Sequence, residues 1–116
     1  MNDYKLLVLE NAVPGREAEF DAWLNVHLEE LVQKAAPLRT AQRFRSVEPS
    51  PGDRPPHPHL VLCDWRAENL ADSWTRHLEA LHDGVAAGTY TPLTTALDRT
   101  SSLHWLFEPA GPRLRK

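Results

Sequence analysis

The stretch His59-Leu60-Val61-Leu62-Cys63-Asp64-Trp65-Arg66 is followed, after Asn69, by Leu70, Trp74, Leu78, Leu81 and Val85. The first part alternates. Val61, Cys63 and Trp65 share one face and Leu60 and Leu62 the other, which is the period of a strand. The second part steps by three and four, which gives a helix one apolar face. Asn69 reads as the N-cap of that helix, Asp72 is acidic in its first turn, and Gly88 is a natural stop.

The same strand-then-helix unit stands upstream. Tyr4-Lys5-Leu6-Leu7-Val8-Leu9-Glu10 reads as a strand buried on much of both faces. Pro14-Gly15 breaks the chain. From Arg16 to about Ala35 the period is helical, with an apolar stripe of Phe20, Trp23, Leu24, Leu28 and Leu31 that Val32 and Ala35 extend. Glu17 and Glu19 fall in the first turn, where the helix dipole favours acid, and Pro37 ends the helix.

Residues 38–47 alternate as a strand with polar groups on both faces, Thr40, Gln42, Phe44 and Ser46 on one side and Ala41, Arg43, Arg45 and Val47 on the other. Residues 48–58 hold five of the ten prolines and form a long loop. A Thr-rich connection over 89–101 leads to a last strand, Leu103 to Glu108, with Leu103, Trp105 and Phe107 on one face. The order is β-α-β-β-α-β. The economical packing is a single α+β domain over residues 1–116, ferredoxin-like, with a four-stranded antiparallel sheet and both helices on one face.

That arrangement leaves the other sheet face bare. Strands one, three and four carry apolar or aromatic residues on more than one side, so the bare face is a larger apolar patch than monomers usually show. A second copy packed sheet against sheet about a two-fold axis covers it, which predicts a homodimer, a dimeric α/β barrel.

Composition narrows the partners. With 41% hydrophobic and 25% charged residues, the chain is ordinary globular material. The net charge of −3 gives no electrostatic reason to expect nucleic acid or an anionic membrane. The apolar run Leu6–Leu9 falls far short of the roughly 20 residues of a spanning helix. No charged segment followed by a long apolar stretch opens the chain, so no signal peptide is expected. One cysteine, Cys63, leaves no internal disulfide and fits a reducing compartment; a cytoplasmic location is the expectation.

Among candidate chemical groups, His27 stands out. It lies four positions after Trp23 and seven after Phe20, on the apolar face of the first helix. It is either a core histidine with a satisfied hydrogen bond or a group placed in a cavity to take or give a proton near pH 7. His104 faces away from Leu103, Trp105 and Phe107, toward a cavity or an interface. His77 and His82, five apart, read as solvated surface. His57 and His59 lack the convergent partners of a metal site, and no metal is expected. No phosphate-binding glycine loop, GxSxG elbow or paired CxxC is present. Cys63 in an apolar strand reads as inert packing. Asp64 and Asp98 are candidate acids or turn caps. Gln42, Arg43 and Tyr90 are candidates to orient a polar ligand.

Phe20-Asp21-Ala22-Trp23-Leu24-Asn25-Val26-His27 resembles the aromatic-x₃-His element on the first helix of EthD-like proteins, members of the dimeric α/β-barrel superfamily. Ala41-Gln42-Arg43-Phe44 resembles their second strand. Leu62-Cys63-Asp64-Trp65-Arg66-Ala67-Glu68 with its following helix resembles both EthD-like and antibiotic-biosynthesis monooxygenase-type proteins, and Leu97-Asp98-Arg99-Thr100 fits as well. After the histidine, Leu28-Glu29-Glu30-Leu31 replaces the usual His-x-Pro. The resemblance implies a cavity between sheet and helices in each protomer. It relates the chain to polyketide and olivetolic-acid-type cyclases, muconolactone isomerases, aldoxime dehydratases, dye-decolourising peroxidases and cofactor-free quinone-forming monooxygenases, and it maps the helix-one histidine onto His27.

Together these readings lean toward an enzyme: a cofactor-independent lyase, isomerase or cyclase moving a proton on a hydrophobic aromatic or polyketide-like molecule. In that reading His27 carries the proton. Trp23, Trp74 and Trp105 shape the pocket, and Gln42, Tyr90 and His104 contact the substrate. The alternatives are a cofactor-free monooxygenase of the antibiotic-biosynthesis type and a non-catalytic dimeric small-molecule-binding accessory protein.

Overall fold

β-branched and leucine-rich alternation produces strands where the sequence predicts them, and the apolar heptad-like spacings produce the helices between. The computed structural model describes residues 1–52 and 54–116; position 53, in the expected proline-rich loop, lies outside the described residues. The elements are β1 (Asn2–Glu10), α1 (Glu17–Lys34), β2 (Leu38–Arg45), β3 (His59–Ala67), α2 (Leu70–Ala86) and β4 (Leu103–Phe107). The strands form one sheet in the order β2-β3-β1-β4, with every neighbouring pair antiparallel. This is the ferredoxin-like arrangement. No helix among the described residues is long and apolar enough to cross a membrane.

The ladders decide which side chains share a face. Leu6 pairs with Cys63 and Leu106, Val8 with Val61 and His104, and Tyr4 with Trp65. These residues point toward the helices. Val61, Cys63 and Trp65 are buried there with Phe20, Leu24 and Leu31 of α1. By the same period of two, Glu10 ends β1 on this inner face, opposite His59.

Helix α2 begins as predicted: the Asn69 side chain accepts from the Asp72 backbone N–H at 2.9 Å, which satisfies one of the orphan donors of the first turn. Its inward face is turned from the expected one. The buried positions are His77 and Gly84, whereas Leu78 and Val85 are exposed. The steps 70, 74, 77, 81, 84 describe that face as well as the apolar stripe does, because adjacent residues differ by only about 100° around a helix. The expectation that His77 is solvated surface is therefore corrected. Val32 of α1, counted in the apolar stripe, is likewise exposed.

The connection after α2 is strapped to the body. Thr91 N–H donates to the Glu30 carboxylate at 3.0 Å, Trp23 Nε1 donates to the Pro92 carbonyl at 3.0 Å, and Val13 N–H donates to the Ala96 carbonyl at 2.7 Å. Ala96, Leu97 and Tyr90 are buried. Gly84 is required here, since a Cβ on it would lie 2.3 Å from Tyr90 Cδ2.

On the outer face Leu7 pairs with Trp105 and Leu62, and Leu9 with Leu103 and Leu60. Phe44 pairs with Leu60. Trp105 and Phe107 are 55% and 51% exposed. Amid this apolar surface Asp64 is ion-paired with Lys5 and accepts from Thr40 Oγ1 at 2.6 Å.

Candidate active site

Between the inner sheet face and the two helices lies a cavity of about 200 Å³. Its walls are aliphatic and aromatic, with Leu24 and Leu28 of α1, Val61 of β3, and Trp74 and Leu81 of α2 among them. Four polar side chains enter this apolar setting, each from a different element: Glu10 from β1, His27 from α1, His77 from α2 and His104 from β4. Such a pocket, mostly apolar with a few convergent polar groups, is the usual form of a small-molecule site.

His27 lies flat against the Trp23 indole, with ring centroids 4.7 Å apart and planes 14° from parallel. Its Nδ1 is buried and has no hydrogen-bond partner. Burial holds the imidazole below its ordinary pKa, while the nearby Glu30 charge works in the opposite direction. At neutral pH the ring is therefore neutral, the state in which it accepts a proton. His77 stands edge-on to Trp65, with centroids 5.0 Å apart at 89°. Burial pulls its pKa down to about 4, and the charge of His27 adds to that.

Glu10 is the least expected member. It is 6% exposed, and its Oε2 is buried without a partner. Burial pushes its carboxyl up to about 7, and the attraction of Arg43 only partly offsets this. Arg43 itself is committed to α1, donating to Asp21 at 2.6 Å and to Asn25 at 2.8 Å. Cys63 lines the same space with its thiol pushed up to about 11 by burial, so it is held protonated.

His27 and Leu81 also border a second, more open cleft of about 460 Å³ that Trp23, Tyr90 and Leu93 help to line. A larger groove of about 610 Å³ touches the cavity only at His77. Two of its arginines, Arg66 and Arg76, are paired with Asp3 and Asp72. Two of the buried polar atoms without a partner, Glu10 Oε2 and His27 Nδ1, belong to residues of the inner cavity.

The structure thus brings His27, Trp74 and His104 together, with ring centroids of Trp74 and His104 5.4 Å apart. Trp23 and Tyr90 lie in the adjoining cleft. Two sequence candidates are placed elsewhere, and both are corrections to the expected pocket. Gln42 pairs with Leu62 on the outer face, and Trp105 points outward from an edge strand. In both cases strand alternation, the period that buries their neighbours, carries them away from the helices.

Asp64 is also outside the cavity, and Asp98 caps its own turn by accepting from Thr100 N–H at 3.1 Å. Among the described residues, no three His, Cys, Asp or Glu side chains are placed to hold a metal ion. Glu10 and His77 escaped the sequence reading. The signal for Glu10 was present: it follows Leu6 and Val8 at i+4 and i+2 on the buried face of β1.

No family model matches the chain, and no curated protein matches it. Solved structures do. A dimeric ferredoxin-like protein of unknown function from Jannaschia has 13% identity over 93% of this chain and 100% of its own, with a TM-score of 0.59. An EthD family protein from Bacillus halodurans has 16% identity over 92% of this chain and 98% of its own, with a TM-score of 0.54. A candidate antibiotic biosynthesis monooxygenase from Chloroflexus aurantiacus has 19% identity over 97% of both chains, with a TM-score of 0.52. The structural neighbours are thus ferredoxin-like proteins of the EthD and antibiotic-biosynthesis monooxygenase types, the groups the sequence resembles, and they establish the fold of this chain.

Proposed function

We propose that this protein is a cofactor-independent enzyme that moves a proton on a hydrophobic aromatic or polyketide-like molecule, with His27 as the base. The observation that carries the reading is the buried, partnerless Nδ1 of a neutral imidazole at the wall of an apolar cavity. A base so placed removes a proton from a carbon beside a carbonyl group. The C–H electron pair becomes a C=C bond, the carbonyl π pair moves onto oxygen, and the proton rests on His27 until it is returned at the same or another atom. Isomerisation, cyclisation and elimination all begin with this step. A positioned base typically contributes about 10²–10⁴-fold.

Size fits this reading. An apolar cavity of about 150 Å³ holds benzene, so the inner space, at about 200 Å³, accepts one ring. A longer molecule extends past His27 into the cleft beside Trp23 and Tyr90. The working unit in this proposal is a homodimer joined through the outer sheet face, where Trp105, Phe107, Leu103 and Phe44 are exposed. The dimeric Jannaschia neighbour supports that assembly.

The test is a panel of single-ring ketones and phenols, first screened for thermal stabilisation and then followed by NMR in D2O. Turnover, or deuterium entry beside the carbonyl group, that is lost in His27→Ala while ligand binding remains supports the base assignment. Full turnover in His27→Ala removes it. A ligand that binds and is returned with no exchange makes the protein a binding module. The second reading, a cofactor-free monooxygenase, is favoured by the Chloroflexus neighbour; it predicts oxygen consumption with a readily enolised phenolic substrate.

A further inference from the structure

A buried carboxyl oxygen with no partner costs on the order of 1–3 kcal/mol or more, and native proteins keep few of them. Glu10 is such a group, and none of its neighbours answers it. Arg43 on β2 is bonded to Asp21 and Asn25 of α1. His59, its ladder partner on β3, sits against the Phe20 ring with centroids 4.8 Å apart. His104 of β4, His27 of α1 and His77 of α2 line the same cavity without bonding to it. The side chain is at the sheet side of the space whose helix side carries His27.

We propose that Glu10 is the group that receives the ligand: its protonated carboxyl donates a hydrogen bond to the carbonyl oxygen of an uncharged ligand in the cavity. The inference rests on the cavity being the ligand site, as proposed above, and it names the substrate class as neutral carbonyl compounds (ketones, lactones or quinones) rather than carboxylates. The raised pKa supports it, since at neutral pH a large share of Glu10 holds its proton. A carboxylate ligand meets a second acid in an apolar space and must share one proton with it. When His27 takes a proton from the carbon beside the carbonyl, negative charge gathers on the oxygen that Glu10 holds, so the bond strengthens as the reaction proceeds.

The experiment measures the affinity of the full-length protein for acetophenone at about pH 5.5 and about pH 8.5. With the carboxyl titrating near 7, the donor fraction falls from nearly all to about one in thirty, so the wild-type affinity falls by up to about thirtyfold. Glu10→Gln keeps an N–H donor at every pH, so its affinity is flat and within about threefold of the wild type at low pH. Glu10→Met has no donor, so its affinity is weak at both pH values. A wild-type affinity independent of pH, a pH dependence that survives in Glu10→Gln, or no acetophenone binding at either pH overturns the assignment. Deuterium entry into the acetophenone methyl group separates the two readings. Glu10-dependent binding with no exchange removes the proton-transfer role of His27 and leaves the role of Glu10 standing.

Discussion

Glu10 and His77 enter one cavity from opposite sides, the sheet and α2, and burial moves their protonation in opposite directions, up to about 7 for the acid and down to about 4 for the base. Both shifts favour the uncharged form. At neutral pH His77 is uncharged and a large share of Glu10 keeps its proton.

This relationship sets the pH dependence of stability. Unfolded, His77 titrates near 6.5, so between about 4 and 6.5 the unfolded chain binds more protons than the folded one. The share of stability tied to His77 is present above 6.5 and is lost as the pH falls toward 4. For Glu10 the folded form binds more protons between 4.5 and about 7, so stability falls as the pH rises through that range. Glu10→Gln should gain most over the wild type near pH 8, on the order of 3 kcal/mol. His77→Gln should lose the His77 share of the acid sensitivity. Urea unfolding midpoints across pH check both.

The stack of His27 on Trp23 makes a separate prediction. Trp23→Ala removes the ring and its bond to the Pro92 carbonyl, and should destabilise by roughly 3–5 kcal/mol. It also opens His27 to water, so the imidazole pKa should return toward 6.5 from its lowered position. Trp23→Phe keeps an aromatic face and should show a smaller change on both counts. NMR titration of the histidine ring protons reads the second effect.

Gly84→Ala drives a methyl group into Tyr90, at 2.3 Å before any relaxation. Overpacking of this kind costs about 1–3 kcal/mol. Tyr90→Ala alone leaves a void and also destabilises. Combined, the two changes should cost less than their sum, because the added methyl group fills part of that void. Thermal or urea unfolding of the three variants closes the cycle.

Trp105→Glu places a charge on the outer apolar face, at its β4 edge. It should leave the fold intact, since the side chain is largely exposed, and convert a dimer to a monomer. Sedimentation at several protein concentrations checks this; an unchanged dimer would show that the subunits join elsewhere.

Most of the fold was legible in the sequence because period two and period 3.6 are written in the apolar residues themselves. Val61, Cys63 and Trp65 specify β3, and Asn69 marks the start of α2. The site was less legible. His27 was visible as a polar residue on an apolar helix face. His77 was hidden because Leu78 lies one position away, and hydrophobicity alone favours the leucine although the helix turns the histidine inward. Glu10 was hidden at the end of a strand, where a charged residue ordinarily marks the exit to solvent. Gln42 and Trp105 suit a pocket by chemistry, but their strands face them outward.

The division of the four tryptophans has an optical consequence. Trp23 and Trp65 are buried and Trp74 lines the cavity, whereas Trp105 stands on the outer sheet face. Intrinsic fluorescence therefore carries two separable signals. Emission from Trp105 would report association in the proposed dimer, and emission from Trp74 and Trp23, which line the cavity and the adjoining cleft, would report what fills them. A Trp105→Phe chain reports ligand entry with little interference from assembly, so the protein carries its own dye for both questions.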